Sequence, residues 1–120
     1  LAAPEKLVVN VMGDAAFGMT GMDVETAARE KIATLTFLLN NSAMGNYEKH
    51  IPIATARYRT KFLTGNYSRV ADGLGAYTER VERPEEIRPA IERARKFLEA
   101  GRPALLEVIT REEPAFSKYW

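Results

Sequence analysis

Leu7-Val8-Val9-Asn10-Val11-Met12-Gly13-Asp14 is the stretch that decides the fold. Its apolar, β-branched character reads as a strand covered on both faces, stopped by a Gly-Asp turn. A loop with Gly18 and Gly21 follows. Asp23 to Lys31 then reads as a helix, with Val24, Ala27, Ala28 and Ile32 on one side. Thr34 to Leu39 is a second apolar, β-rich run and ends at Asn40-Asn41. Strand, helix and strand in this order predict a parallel crossover.

Working outward, Ser42 to Asn66 reads as a long irregular loop, a kind that is usually functional or mobile. Tyr67 to Leu74 reads as a short helix and Ala76 to Val81 as a third strand. Pro84 to Ala100 is the clearest helix, with Glu85 and Glu86 in its first turn and Gly101 placed to cap it. Pro89 conflicts with one unbroken helix, so the main helix is expected near Arg88 after a separate turn. Ala104 to Thr110 reads as a fourth strand. Alternating strands and helices predict an α/β fold, three-layer α/β/α with a mostly parallel sheet.

In such sheets ligands bind at the carboxyl ends of the strands. Gly13-Asp14 and Asn40-Asn41 both stand at such ends, and neighbouring strands would bring them together. A carboxylate, an amide oxygen and a backbone carbonyl are hard ligands that suit magnesium shared with phosphate oxygens. Gly13, Ala15 and Ala16 are small, so their backbone N–H groups could approach a diphosphate.

Gly13-Asp14-Ala15-Ala16-Phe17, closing at Asn40-Asn41, resembles the motif of thiamine-diphosphate-dependent enzymes. Gly21-Met22-Asp23-Val24-Glu25-Thr26 and Gly101-Arg102-Pro103-Ala104-Leu105-Leu106-Glu107-Val108 extend the likeness over essentially the whole chain. The first of these is similar to oxalyl-CoA decarboxylases and 2-hydroxyacyl-CoA lyases, the second to acetolactate synthases. The resemblance implies the thiamine-diphosphate-binding fold, with thiamine diphosphate and Mg as cofactors. Asp14, Asn41 and the Ala43 carbonyl would ligate the metal. Gly13, Ala15 and Ala16 would line the diphosphate, with Met44 and Gly45 beside the metal. Ala15 departs from the family's glycine, which leaves backbone approach intact if its φ is negative.

The resemblance also implies that residues 1–120 are the greater part of a C-terminal, diphosphate-anchoring domain, a fragment of a longer chain that lacks its first strand and helix. The glutamate that activates the cofactor would come from a pyrimidine-binding domain of the same or another chain, so no catalytic residue is assigned here. The expected reaction is acetolactate-synthase-like carboligation or 2-oxo acid decarboxylation in a homo-oligomer, with acyl-CoA cleavage as the alternative. A non-catalytic thiamine-diphosphate-binding module is the alternative of another class.

The remaining sequence mostly excludes. A net charge of +1 leaves no footprint for nucleic acid. The absence of cysteine removes disulfides, iron–sulfur clusters and thiolate chemistry, and fits a cytoplasmic location. No apolar run is long enough for a membrane helix. Gly13 to Gly18 lacks the nicotinamide-binding glycine pattern. Glu25 reads as a helix-start carboxylate and His50, the only histidine, as a solvated loop residue. Tyr47, Tyr58 and Phe62 read equally as pocket lining or as a small loop cluster. Met12, Met19 and Met22 read as core gap-fillers. The tail Pro114 to Trp120 reads as either a closing flap or a frayed end.

Overall fold

The computed structural model describes residues 5–113. The expectation for the tail Pro114 to Trp120 falls outside them. Strands β1 (Val8–Gly13), β2 (Thr34–Asn40), β3 (Tyr77–Val81) and β4 (Ala104–Ile109) form one wholly parallel sheet in the order β1-β2-β4-β3. Helices α1 (Asp14–Thr20) and α2 (Asp23–Arg29) cross from β1 to β2. The chain then runs through α3 (Tyr47–His50), α4 (Pro52–Tyr58) and α5 (Tyr67–Gly73) to β3, and through α6 (Ile87–Glu99) to β4.

Strand alternation divides the apolar residues between two cores. Leu35, Val81, Ala104 and Leu106 face α6, which offers Ala90, Ala94 and Leu98. Leu38 and Leu105 face the other way, toward Phe17 of α1 and Ala71 of α5. Helices on both faces of a parallel sheet make the three-layer arrangement. The helical stripe of α6 thus forms because its small and branched residues recur at a spacing that keeps them on one side.

Two glycines are needed where they stand. A Cβ on Gly21 would lie 2.6 Å from the Phe17 carbonyl oxygen and 2.7 Å from its ring. Gly101 follows the end of α6 at φ +79, the left-handed conformation that closes a helix at little cost to glycine. Pro84–Glu86 forms a separate 3-10 turn, and α6 starts at Ile87. Pro89 therefore sits in the first turn of α6, where its missing N–H would have had no intrahelical acceptor.

Several expectations are corrected. Among the described residues β1 is not covered on both faces: it lies at the edge of the sheet, and Leu7, Val8, Val9 and Val11 are exposed there. The apolar character of a strand reports its tolerance for burial, while its place in the sheet decides whether burial occurs. The segment after Gly13-Asp14 is the helix α1 and not a loop, with Gly18 inside it. The stretch Ser42 to Asn66 contains two helical pieces, α3 and α4, too short for a periodic pattern to stand out. Met19 and Met22 are 74% and 69% exposed, because α1 and α2 turn those positions away from the sheet. Met12 does pack at the margin of a core.

Leu38→Ala is expected to lower unfolding free energy by about 2–5 kcal/mol, since Leu38 is fully buried in the sheet. Val9→Ala, on the exposed edge, is expected to change it by less than about 0.5 kcal/mol. Urea titration measures both, and comparable losses would contradict the assignment of the cores.

Candidate functional site at the carboxyl ends of β1 and β2

The register of β1 on β2 ends with Gly13 opposite Leu39. The residues that follow, Asp14 and Asn40-Asn41, therefore leave the sheet side by side. They open onto a cavity of about 440 Å³. Gly13, Asp14, Ala15, Ala16, Asn41, Ala43, Met44 and Gly45 all line it, joined by Met19, Leu39 and Tyr47. The sequence-predicted site residues are thus brought together from two crossovers of the chain. Met44, half-buried, is cavity lining, and Tyr47 takes the pocket role among the aromatics. Tyr58 and Phe62 are exposed under the Arg57 and Arg59 guanidinium groups and do not line this cavity. His50 is exposed at the end of α3 and does not line the cavity. Glu25 pairs with Arg29 one turn along the exposed side of α2.

Asp14 is 2% exposed, an unusual state for a carboxylate. One of its oxygens accepts the Ala15 N–H at 2.8 Å and the other the Ser42 N–H, also at 2.8 Å. A carboxylate has roughly four lone-pair positions, so two N–H donors leave capacity for a cation. The Ala15 N–H is thereby engaged by the Asp14 carboxylate. Ala16 stands in the first turn of α1, where N–H groups have no acceptor within the helix. Ala15 has ordinary helical dihedrals, so alanine in place of glycine costs the backbone nothing there.

The loop after β2 is bent sharply. Ser42 adopts φ +57, a left-handed conformation that a residue other than glycine holds only with help. Its N–H meets both Asp14 Oδ2 and Asn40 Oδ1, the latter at 3.0 Å. Asn41 Oδ1 accepts the Ala43 N–H at 3.0 Å. The bridge between Ala43 and Phe62 is made by the Met44 N–H on the Lys61 carbonyl and the Leu63 N–H on the Ser42 carbonyl, which leaves the Ala43 carbonyl out of it. A Cβ on Gly45 would meet nothing within 4 Å, so the opening beside Met44 is space rather than packing.

Sequence reasoning did not assign a role to Asn40, Glu107 or Tyr67. Asn40 is buried and points into the protein while Asn41 lines the cavity. Glu107 is buried beneath Asn40, and the signal for it was a lone acid within the apolar run Ala104 to Ile109. Tyr67 packs edge-on against Phe17 with centroids 5.9 Å apart. Burial pushes its phenol pKa up, and the neighbouring charges of Asp14 and Glu107 push it further the same way. Among the described residues no cluster of three or more His, Cys, Asp or Glu could hold a metal by itself. A cation at this cavity would therefore rest on one carboxylate, neutral oxygens and the oxygens of its own ligand.

Lys61 ties the loop down on the far side. Its ammonium pairs with Glu48 and, at 2.7 Å, with Glu112 beyond β4. Those hydrogen bonds, Glu112 first and Glu48 next, raise the Lys61 pKa. Lys61 in turn holds the Glu48 carboxyl below its ordinary value of 4.5. A depressed carboxyl pKa gives stability that is present above the ordinary value and is lost as pH falls through the folded-state value. Acidification below 4.5 is therefore expected to lower the thermal midpoint more in the natural protein than in Lys61→Met. Melting curves from pH 7 to pH 3 test this; parallel acid dependence in the two would remove Lys61 as the anchor.

Residues 1–108 match the family model described as "Thiamine pyrophosphate enzyme, C-terminal TPP binding domain". The acetolactate synthase large subunit of Mycobacterium tuberculosis is 36% identical over 121 residues, covering 98% of this chain and 21% of that protein. A 2-hydroxyacyl-CoA lyase of Oryza sativa is 29% identical, covering 91% of this chain and 20% of that one. A solved structure of a "putative thiamin diphosphate-dependent enzyme" from Mycobacterium smegmatis superimposes with a TM-score of 0.72 at 27% identity, over 89% of this chain and 18% of that chain. The chain spans about a fifth of the length of the relatives it matches.

Proposed function

Because the chain belongs to the thiamine pyrophosphate enzyme family, matching its C-terminal TPP binding domain, we propose that it anchors the diphosphate of thiamine diphosphate through Mg2+ within a longer enzyme. The observation that supports this most directly is the gathering of Gly13 to Ala16 and Asn41 to Gly45 around one cavity. The donor set suits the group: Asp14 supplies charge, the Asn41 amide and the Ala43 carbonyl supply hard neutral oxygens, and a diphosphate would complete the coordination. The small residues Gly13, Ala16 and Gly45 leave room for phosphate oxygens near the backbone.

When bound, thiamine diphosphate supplies a carbon nucleophile and an electron sink for making or breaking a bond beside a carbonyl. The part of this chain is to bind and orient. Asp14, buried and held by two N–H donors, would present a fixed charge to a bound metal. The Ser42 turn carries Asn41 and Ala43 to the same point. The activating glutamate and the substrate contacts belong to a pyrimidine-binding domain of the same chain or of a partner in a homo-oligomer. The reaction we favour is acetolactate-synthase-like carboligation or decarboxylation of a 2-oxo acid, given the acetolactate synthases among the relatives. Cleavage of an acyl-CoA is the second reading, favoured by the similarity to 2-hydroxyacyl-CoA lyases.

Asp14→Ala in the full-length protein is expected to weaken Mg2+-dependent binding of thiamine diphosphate by more than about a hundredfold, since even residues behind a metal's ligands are worth ten- to a hundredfold. The far-UV circular dichroism should be unchanged, because Asn40 still accepts the Ser42 N–H. Calorimetric titration measures the affinity, and natural affinity in the variant would sink the assignment. His50→Ala is expected to change kcat by less than about tenfold, below the range of a general acid or base. A loss of several orders of magnitude in steady-state assays would place His50 in the chemistry.

A further inference from the structure

Glu107 lies in the middle of β4, among Leu105, Leu106 and Val108, and is fully buried. Its Oε2 accepts the Ser68 N–H at 2.9 Å. Its Oε1 accepts from Asn40 Nδ2 at 2.6 Å and from Arg80 Nη1 at 3.0 Å. All three partners donate to it. Asn40 must therefore turn its nitrogen toward Glu107 and its oxygen the opposite way, where that oxygen accepts from the Ser42 N–H at 3.0 Å and the Ser42 hydroxyl at 3.1 Å. The reverse orientation would set an amide oxygen against a carboxylate and an NH2 against an N–H. Asp14 Oδ2 shares that same Ser42 N–H at 2.8 Å. Glu107, Asn40, Ser42 and Asp14 thus form one chain of contacts from the sheet interior to the cavity.

We propose that Glu107 is a positioning residue, which fixes the Asn40 amide and through it the left-handed Ser42 turn that sets Asp14 and Asn41 for the metal. The proposal rests on reading the cavity as a metal–diphosphate clamp. Packing does not require an acid here: Leu105, on the same side of β4, fills its place with hydrocarbon. Burying a carboxylate is costly even when it is paired and hydrogen-bonded, and an apolar residue in its place is often no less stable, so its hydrogen bonds point to a role beyond packing. Two of its donors, Arg80 and Ser68, account for pairing and for the start of α5. The third, Asn40, is the link that reaches the site.

The test uses the full-length protein carrying Glu107→Gln, which keeps the shape but replaces one of the two acceptor oxygens with an NH2 donor. Glu79→Gln in β3 is the control, in the same sheet but paired with Arg93. The Mg2+ concentration that half-saturates binding at fixed thiamine diphosphate is expected to rise about ten- to a hundredfold in Glu107→Gln and to stay unchanged in the control. The side-chain amide resonances of Asn40 and the backbone amide of Ser42, selectively labelled with 15N, should shift in Glu107→Gln alone. Should that variant not fold, Glu107→Asp keeps the buried charge but withdraws it from Asn40, and the same rise is expected. An unchanged Mg2+ midpoint in a folded variant overturns the role of Glu107. So does a changed midpoint with unmoved Asn40 and Ser42 resonances, which would reduce Glu107 to a helix cap. If the natural protein shows no Mg2+-dependent binding of thiamine diphosphate, the clamp reading itself falls, and with it any role of Glu107 toward a metal.

Discussion

The parallel pairing of β1 with β2, closed by Gly13 opposite Leu39, is the constraint on which the site depends. Residues 14 and 41 are separated by a whole crossover, yet that register delivers them to one point. A slip of one residue would reverse the alternation of each strand, sending Leu38 and Asn40 to the opposite face. The hydrophobic division between the two cores therefore also keeps the site in register. Leu38 packs toward Phe17 and Ala71 on the face to which Asn40 and Glu107 also turn.

At the end of that register the structure changes from apolar packing to a buried polar network. Such groups are tolerated only when their hydrogen bonds are made. Among the described residues no buried side-chain polar atom lacks a partner. Satisfying Glu107, Asn40 and Asp14 together leaves little freedom in the loop between them. The positive φ of Ser42 is the visible consequence, a backbone conformation sustained by two acceptors on one N–H. Local strain is thus balanced by one hydrogen bond to Asn40, two residues away, and one to Asp14, 28 positions back, which a sequence window around Ser42 does not contain.

Within the described residues, β1 shows that burial depends on neighbours as well as on composition. Val8, Val9 and Val11 have the residue types of an interior strand, but α6 packs toward β2, β3 and β4 and not over β1. The opposite case is β4, whose apolar neighbours conceal an acid that is more deeply buried than most of them. Periodicity captures which side of an element is apolar. It carries no information about which neighbour arrives to cover it.

By itself the sequence determined the strands, the crossover, the main helix and the pairing of Gly13-Asp14 with Asn40-Asn41 as strand-ending signals. All of these depend on interactions within a few residues: β-branched runs, 3.6-residue periodicity, helix-closing glycine and the restriction imposed by proline. The likeness of those motifs to a known family placed Asp14, Asn41 and Ala43 in one site, and the cavity they share is consistent with that placement. Only the tertiary structure decided that β1 lies at an edge, that α1 begins at Asp14, and that Asn40 faces inward to Glu107 while Asn41 faces the cavity. The strand order and the direction of Asn40 depend on contacts between residues far apart in the chain, Asn40 and Glu107 standing 67 positions apart. Strand order and the direction of a buried amide are set by which partners the whole fold brings within hydrogen-bonding reach.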